Sequence, residues 1–183
     1  MHKLLSWFAI ASFIFILIRS SPSLARDKTD NVQFFCGRIN QSGTIVPTTQ
    51  AVSSGTSEPV SLILWKYPPP QGMTNQQRCE TVSKRFQLAW DRGTFDKLIV
   101  GIDKKTGMGI VCAVSYAEKE CTRSHLLFTL RTGSDAEEVR DGLRNHIGSG
   151  KGKPQDQSSG ENEIDMRLLI DLLKNKYSNS QGC

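Results

Sequence analysis

Four cysteines, Cys36, Cys79, Cys112 and Cys121, punctuate the middle of this chain, and a fifth, Cys183, ends it. If the four pair, two cross-links restrict every topology the segment can adopt, and three connectivities satisfy the count. Whether they pair depends on the compartment. Residues 1–25 read as a secretory signal peptide. His2 and Lys3 supply the positive end, and Leu4 to Ile18 form the apolar run. Pro22 breaks the helix, and Ser23 and Ala25 place small residues at the −3 and −1 positions of a cleavage site. The run is shorter than the roughly 20 residues that span a bilayer, so cleavage is expected over anchoring. The exported chain then meets oxidising surroundings, where an even set of domain cysteines forms disulfides. The expected pairing is Cys36–Cys79, with Cys112–Cys121 closing a local loop; the other pairings stay open. Cys183 is left as a free thiol or an intermolecular link.

The clearest element is a helix within Gly72–Gly93, GMTNQQRCETVSKRFQLAWDRG. Thr74 suits the N-cap, and Gln77 completes a T-x-x-Q capping box. Cys79, Val82, Phe86, Ala89 and Trp90 recur at spacings of three and four and so share a face. Gly93 suits the left-handed residue that ends a helix. Strands are expected at Val32–Gly37, Val60–Lys66, Leu98–Ile102, Gly109–Ser115 and Leu126–Arg131. The Ser-, Thr- and Gln-rich stretch from Asn40 to Pro59 reads as a long loop, with at most a short strand at Thr44–Val46. Asp103 to Gly107 reads as a hairpin turn. A second helix follows Ser134, with Glu137 completing its capping box and Val139, Leu143 and Ile147 along its apolar face.

The element order predicts an α+β fold: an antiparallel sheet of about five strands with two packed helices. The expected division is a signal peptide at 1–25, a disulfide-stabilised domain at 26–148, a polar linker at 149–163 and an amphipathic C-terminal helix at 164–177. Met166, Leu169, Ile170, Leu173 and Tyr177 form the stripe of that last helix. Such a stripe either docks on its own domain or engages a partner.

Removing 25 of the 183 residues leaves 158, enough for one domain with a real core. Lys3 and Arg19 leave with the signal, so 21 basic residues face 18 acidic ones, a net charge of +3. That excess is too small and too interspersed to argue for nucleic acid. His125 and His146 remain after cleavage without metal-ligand spacing, and no catalytic, cofactor-binding or metal-ligating set is expected. Gly148 to Lys153 departs from a phosphate-loop pattern and follows a helix instead of a strand. Asn40-Gln41-Ser42 matches a glycosylation sequon, and Pro68–Pro70 reads as a rigid exit from a strand.

Several of these stretches, in order, resemble a known family. They are Phe34-Phe35-Cys36, Leu64-Trp65-Lys66, the run Gln77 to Gln87 (QRCETVSKRFQ), Val111-Cys112-Ala113-Val114, Cys121, and Leu126 to Gly133 (LLFTLRTG). Together, from about Val32 to Ile147, they resemble the cyanobacterial circadian oscillating polypeptide domain. The resemblance implies an exported or membrane-peripheral protein, in the periplasm, thylakoid lumen or extracellular space, with no established catalytic activity and no cofactor. Its cysteine pattern maps onto Cys36, Cys79, Cys112 and Cys121, in support of two disulfides. The founding member's rhythmic expression belongs to gene regulation and does not transfer to this chain. The expected function is a non-catalytic binding or accessory protein, with a protein partner or a peripheral membrane surface as its counterpart. Two rivals are an inhibitor or interaction module acting through the C-terminal helix, and an enzyme without a recognisable site.

Overall fold

The computed structural model describes residues 31–54, 58–69, 72–130, 139, 141–143, 163–167, 169, 171 and 173. The expected signal segment, most of the second helix and the linker but for Glu163 lie outside them, as do His146, Ile170, Tyr177 and Cys183.

The chain forms two antiparallel sheets, not one of five strands. Strands β1 (Val32–Gln41), β2 (Thr44–Ser53) and β3 (Val60–Leu64) make the first, in the order β1-β2-β3. Strands β4 (Lys97–Ile102), β5 (Gly109–Val114), β6 (Leu126–Thr129) and β7 (Glu163–Asp165) make the second, in the order β6-β5-β4-β7. Helix α1 (Asn75–Asp91) connects them in sequence, and both halves of the expected capping box are made. The Thr74 hydroxyl accepts from the Gln77 N–H at 3.1 Å, and Gln77 Oε1 accepts from the Thr74 N–H at 2.8 Å.

The largest departure from the sequence reading is β2, a ten-residue strand where a loop was expected. Its two-residue turn to β1 puts Ser42 and Gly43 at φ of 51° and 85°, the positive values that a tight hairpin turn needs. The strand disguises itself with polar residues. Thr48, Thr49 and Gln50 are buried, and each has a partner for its side chain. Thr49 Oγ1 accepts from Trp65 Nε1 at 3.0 Å and from Ser83 Oγ at 3.1 Å, Gln50 donates to Ser61, and Thr48 donates to the Val46 carbonyl. Pro47 costs little. Its carbonyl points toward the β3 side, where it accepts from the Trp65 N–H just past the end of β3, so the missing N–H removes no bond to β1.

The second departure is β7. Ile164 was expected to open the C-terminal helix, yet it lies opposite Leu98 in the sheet and enters the core. Lys97 explains why the edge of β4 recruits a strand. Its side chain is buried and meets Glu163 at 2.8 Å. Helical backbone begins only afterwards, at Arg167, Leu169, Asp171 and Leu173. Asp165 accepts from the Arg167 N–H at 2.8 Å, a side-chain cap at the point where the strand gives way to helix.

One continuous core joins both sheets. Phe34 of β1, Phe86 of α1 and Phe95 pack with ring centroids 5.3–5.5 Å apart, and Trp65 meets Phe128 edge-on at 5.6 Å. Val139 and Leu143, both at helical positions, pack against this core from outside. Disulfides join Cys36 to Cys79 and Cys112 to Cys121, each with Cα atoms 5.5 Å apart.

Candidate binding grooves beside the Cys112–Cys121 loop

Helix α1 is where the basic residues of the Gln77–Gln87 run find their purpose. Thr129 and Leu127 turn their carbonyls to the side of β6 that faces away from β5. Arg78 donates to the first at 2.9 Å and Arg85 to the second at 2.8 Å. Gln87 likewise accepts the Phe34 N–H on the open side of β1 at 2.7 Å. One helix therefore satisfies polar groups on the unpaired edges of both sheets, which would otherwise be open to another chain. Arg78 also lies 4.6 Å over the Trp65 ring, and burial lowers its pKa. Trp90 stays in the core.

The opposite region is the outer face of the second sheet. Alternation along the strands turns Leu98, Val100, Val111 and Ala113 inward, leaving Ile99, Ile110, Cys112 and Val114 on the far side. Residues 115–125 fold back over part of this second face. Cys121 and Leu126 pack there on Ile99, Cys112 and Val114, and the Cys112–Cys121 bridge holds the loop down.

Polar contacts fix the loop's shape. Glu118 accepts from the Ser115 N–H and hydroxyl, and its other oxygen meets His125 Nε2 at 3.2 Å. His125 Nδ1 lies 3.0 Å from the Thr122 hydroxyl, which lies 2.8 Å from the Ser124 hydroxyl. A hydroxyl, an imidazole and a carboxylate in series are the parts of an activated nucleophile. Here all of them come from one surface loop, and both ring nitrogens brace it.

At the far end, Tyr116 donates through its hydroxyl to Asp165 at 3.0 Å, and its N–H goes to Asp96. Arg167 pairs with Asp165 and lies 5.0 Å over the Tyr116 ring. Burial, then the Asp165 charge, pushes the Tyr116 pKa up to about 12. Burial alone would raise Asp165, but the Arg167 side chain and N–H and the Tyr116 hydroxyl outweigh it, leaving the carboxyl below its usual range. This cluster clamps β7 to the loop.

Two grooves flank the loop, and Arg123 and Leu126 line both. The larger, about 720 Å³, runs between residues 119–123 and the β4–β5 hairpin. Its floor is Ile99, Ile110, Leu126 and Cys121. Lys104, Lys105, Lys119 and Arg123 stand on its rim with Asp103, Glu120 and Glu163, and Glu163 is already paired with Lys97. The Lys105 backbone N–H, foremost among several contacts, holds the Asp103 carboxyl below its usual range. The smaller groove, about 420 Å³, lies between the C-terminal half of α1 and residues 123–127.

The structure locates the sequence-predicted sites as follows. All four domain cysteines are in disulfides. Met166, Leu169 and Leu173, three members of the expected interaction stripe, are buried in the main core and offer a partner no surface. Asn40 of the sequon accepts from the Gly43 N–H inside the β1–β2 turn. The glycine-lysine run from Gly148 lies outside the described residues. Among those residues no three His, Cys, Asp or Glu side chains come together to hold a metal, and no helix is long and apolar enough to cross a membrane. The grooves themselves were missed in the sequence. Their linings come from α1, two hairpin strands and a loop, and the lysine pair at Lys104-Lys105 had looked like ordinary turn residues.

No curated protein and no solved structure matches the chain. The family model of circadian oscillating protein COP23 matches residues 33–171. The match extends past the stretches that carry the resemblance, through the linker and into the segment holding β7 and Met166. Since it covers most of the sequence, the chain belongs to the circadian oscillating protein COP23 family.

Proposed function

We propose that this protein is an exported, non-catalytic binding or accessory protein that uses the outer face of its second sheet. The observation that carries the reading is the larger groove, about 720 Å³: an apolar floor with exposed Lys104, Lys105, Lys119 and Arg123 on its rim beside Asp103 and Glu120, next to a disulfide-held loop. Ligand sites commonly combine an apolar lining with a few orienting polar groups. A loop held by a covalent bond loses less freedom on binding than a free one. Export is supported by two disulfides, which persist in oxidising compartments. The burial of Met166, Leu169 and Leu173 moves the binding reading from the C-terminal segment to the groove.

The test is affinity capture from an exported-fraction extract, using the oxidised protein and a Lys104→Glu/Lys105→Glu/Lys119→Glu variant. A ligand or protein captured by the first and lost by the second supports the groove. Equal capture by both, or none by either, overturns it. Amino-terminal sequencing of the native chain should begin at Arg26, and intact mass before and after reduction should show four oxidised domain thiols.

A further inference from the structure

The smaller groove has a different chemistry from the larger one. Arg85 and Arg92 line it from α1, and Arg123 and His125 from the facing turn. Among its described lining residues there is no carboxylate. Arg78, Arg85 and Arg92 stand seven residues apart, so they follow one face of the helix. The first two are used on the carbonyls of Thr129 and Leu127. At Arg92 the facing chain has left the strand for the turn at 123–125; among the described residues no side-chain hydrogen bond or salt bridge engages Arg92 or Arg123, and Arg123 meets only the more distant charge of Asp103 across the larger groove.

Among the described residues Arg85 makes one side-chain hydrogen bond, to the Leu127 carbonyl, which leaves four of its five N–H donors for a ligand. The carboxylate nearest the turn, Glu118, is held at His125 Nε2, 3.2 Å away. The floor is apolar, with Leu88, Ala89 and Leu126 among its residues, and Leu88 is 41 % exposed.

We propose that this groove binds a small organic phosphate, with the dianion held by Arg92, Arg123 and the unused donors of Arg85. The ester's apolar group lies on the Leu88, Ala89 and Leu126 floor. Guanidinium forks match phosphate oxygens in geometry, and three of them answer a charge of about −2 better than that of a carboxylate. A cavity of about 420 Å³ admits a ligand of that size. This proposal does not rest on the use of the larger groove.

The test is calorimetric titration of the oxidised mature protein with phenyl phosphate, inorganic phosphate and benzoate. Phenyl phosphate should bind saturably at one site and more tightly than either of the others. Arg92→Gln and Arg123→Gln should each weaken it about tenfold, the scale of losing one charge-assisted hydrogen bond. Both side chains are exposed and among the described residues make no side-chain hydrogen bond, so the thermal midpoint should not move. Lys104→Gln/Lys105→Gln, which alters only the larger groove, should leave the affinity unchanged. No saturable binding, benzoate binding as tightly as phenyl phosphate, unchanged affinity in the Arg92→Gln/Arg123→Gln double variant, or loss in the lysine pair instead would each overturn the proposal.

Discussion

The two long faces of the second sheet are built to opposite rules. On the inner face α1 closes the structure. Its cysteine is bridged, its arginines cap strand carbonyls, and Ser83 and Gln87 reach buried or edge groups of the first sheet. The outer face carries a small apolar cluster, a disulfide-held loop and the larger groove with cations on its rim, while the smaller groove opens at the edge between α1 and the turn at 123–125. In the first region a change of side chain breaks an existing bond. In the second it alters what an incoming molecule would meet. The bonded side chains of α1 and the open rim of the larger groove thereby lie on different sides of four strands.

The sharpest break of this contrast lies in the two disulfides. Cys36–Cys79 closes 43 residues and Cys112–Cys121 closes 9. By loop entropy alone their losses cost about 4 and about 2.5 kcal/mol. Cys36→Ser/Cys79→Ser should therefore lower the thermal midpoint most, since it also opens the core beneath α1. Cys112→Ser/Cys121→Ser should lower it less while accelerating proteolysis between Ser115 and His125. A larger midpoint loss from the short bridge would show that the outer loop, not the helix, anchors the fold.

A smaller step tests the helix as an edge cap. Arg78→Leu leaves the Thr129 carbonyl without its donor and should cost about 1–3 kcal/mol in chemical denaturation. Arg85→Leu, at a more exposed site, should cost about 1 kcal/mol. If neither shifts the midpoint, water serves those carbonyls equally well.

The clamp on β7 should be pH-dependent at both ends. Asp165 has a folded pKa below its unfolded value, so its contribution is present above about pH 4 and is lost as pH falls through the lower folded value. Tyr116 has a folded pKa of about 12 against 10.0 in the unfolded chain, so its contribution is full below pH 10 and fades toward pH 12. Spectrophotometric titration should find one of the three tyrosines ionising near pH 12, and Tyr116→Phe should remove that step. The absence of any tyrosine step near pH 12 would mean that the clamp is not closed. Least of all should Lys104→Gln or Lys119→Gln affect stability, by less than about 0.5 kcal/mol. A larger loss would place these lysines in the fold instead of on a binding rim.

Legibility followed the range of the interactions. The α1 helix could be read end to end because caps and apolar spacing are local, and Thr74, Gln77 and Gly93 serve as expected. Strand β2 could not. Its Thr and Gln residues look like loop residues until Trp65, Ser83 and Ser61 supply partners from elsewhere in the chain. Strand β7 is three residues long and next to an apolar helical pattern, so only the edge of β4 and the buried Lys97 reveal it. The second expected helix is helical at positions 139 and 141–143, while its cap at Ser134 lies outside the described residues. The grooves left almost no signal, because their arginines and lysines lie far apart in sequence and look like solvated surface until they converge.

By itself the sequence determined the helix that organises the molecule, the antiparallel α+β class, the four cysteines as a cross-linking set and the family. Each is written in short-range spacing or in residue identity. Tertiary structure alone decided that there are two sheets, that α1 serves the open edges of both, and that a C-terminal segment adds a strand before it turns helical. It also decided where cations meet apolar floors. The physical reason is that backbone groups on sheet edges, and charges on separate elements, acquire partners or lack them only after distant parts of the chain have been brought together.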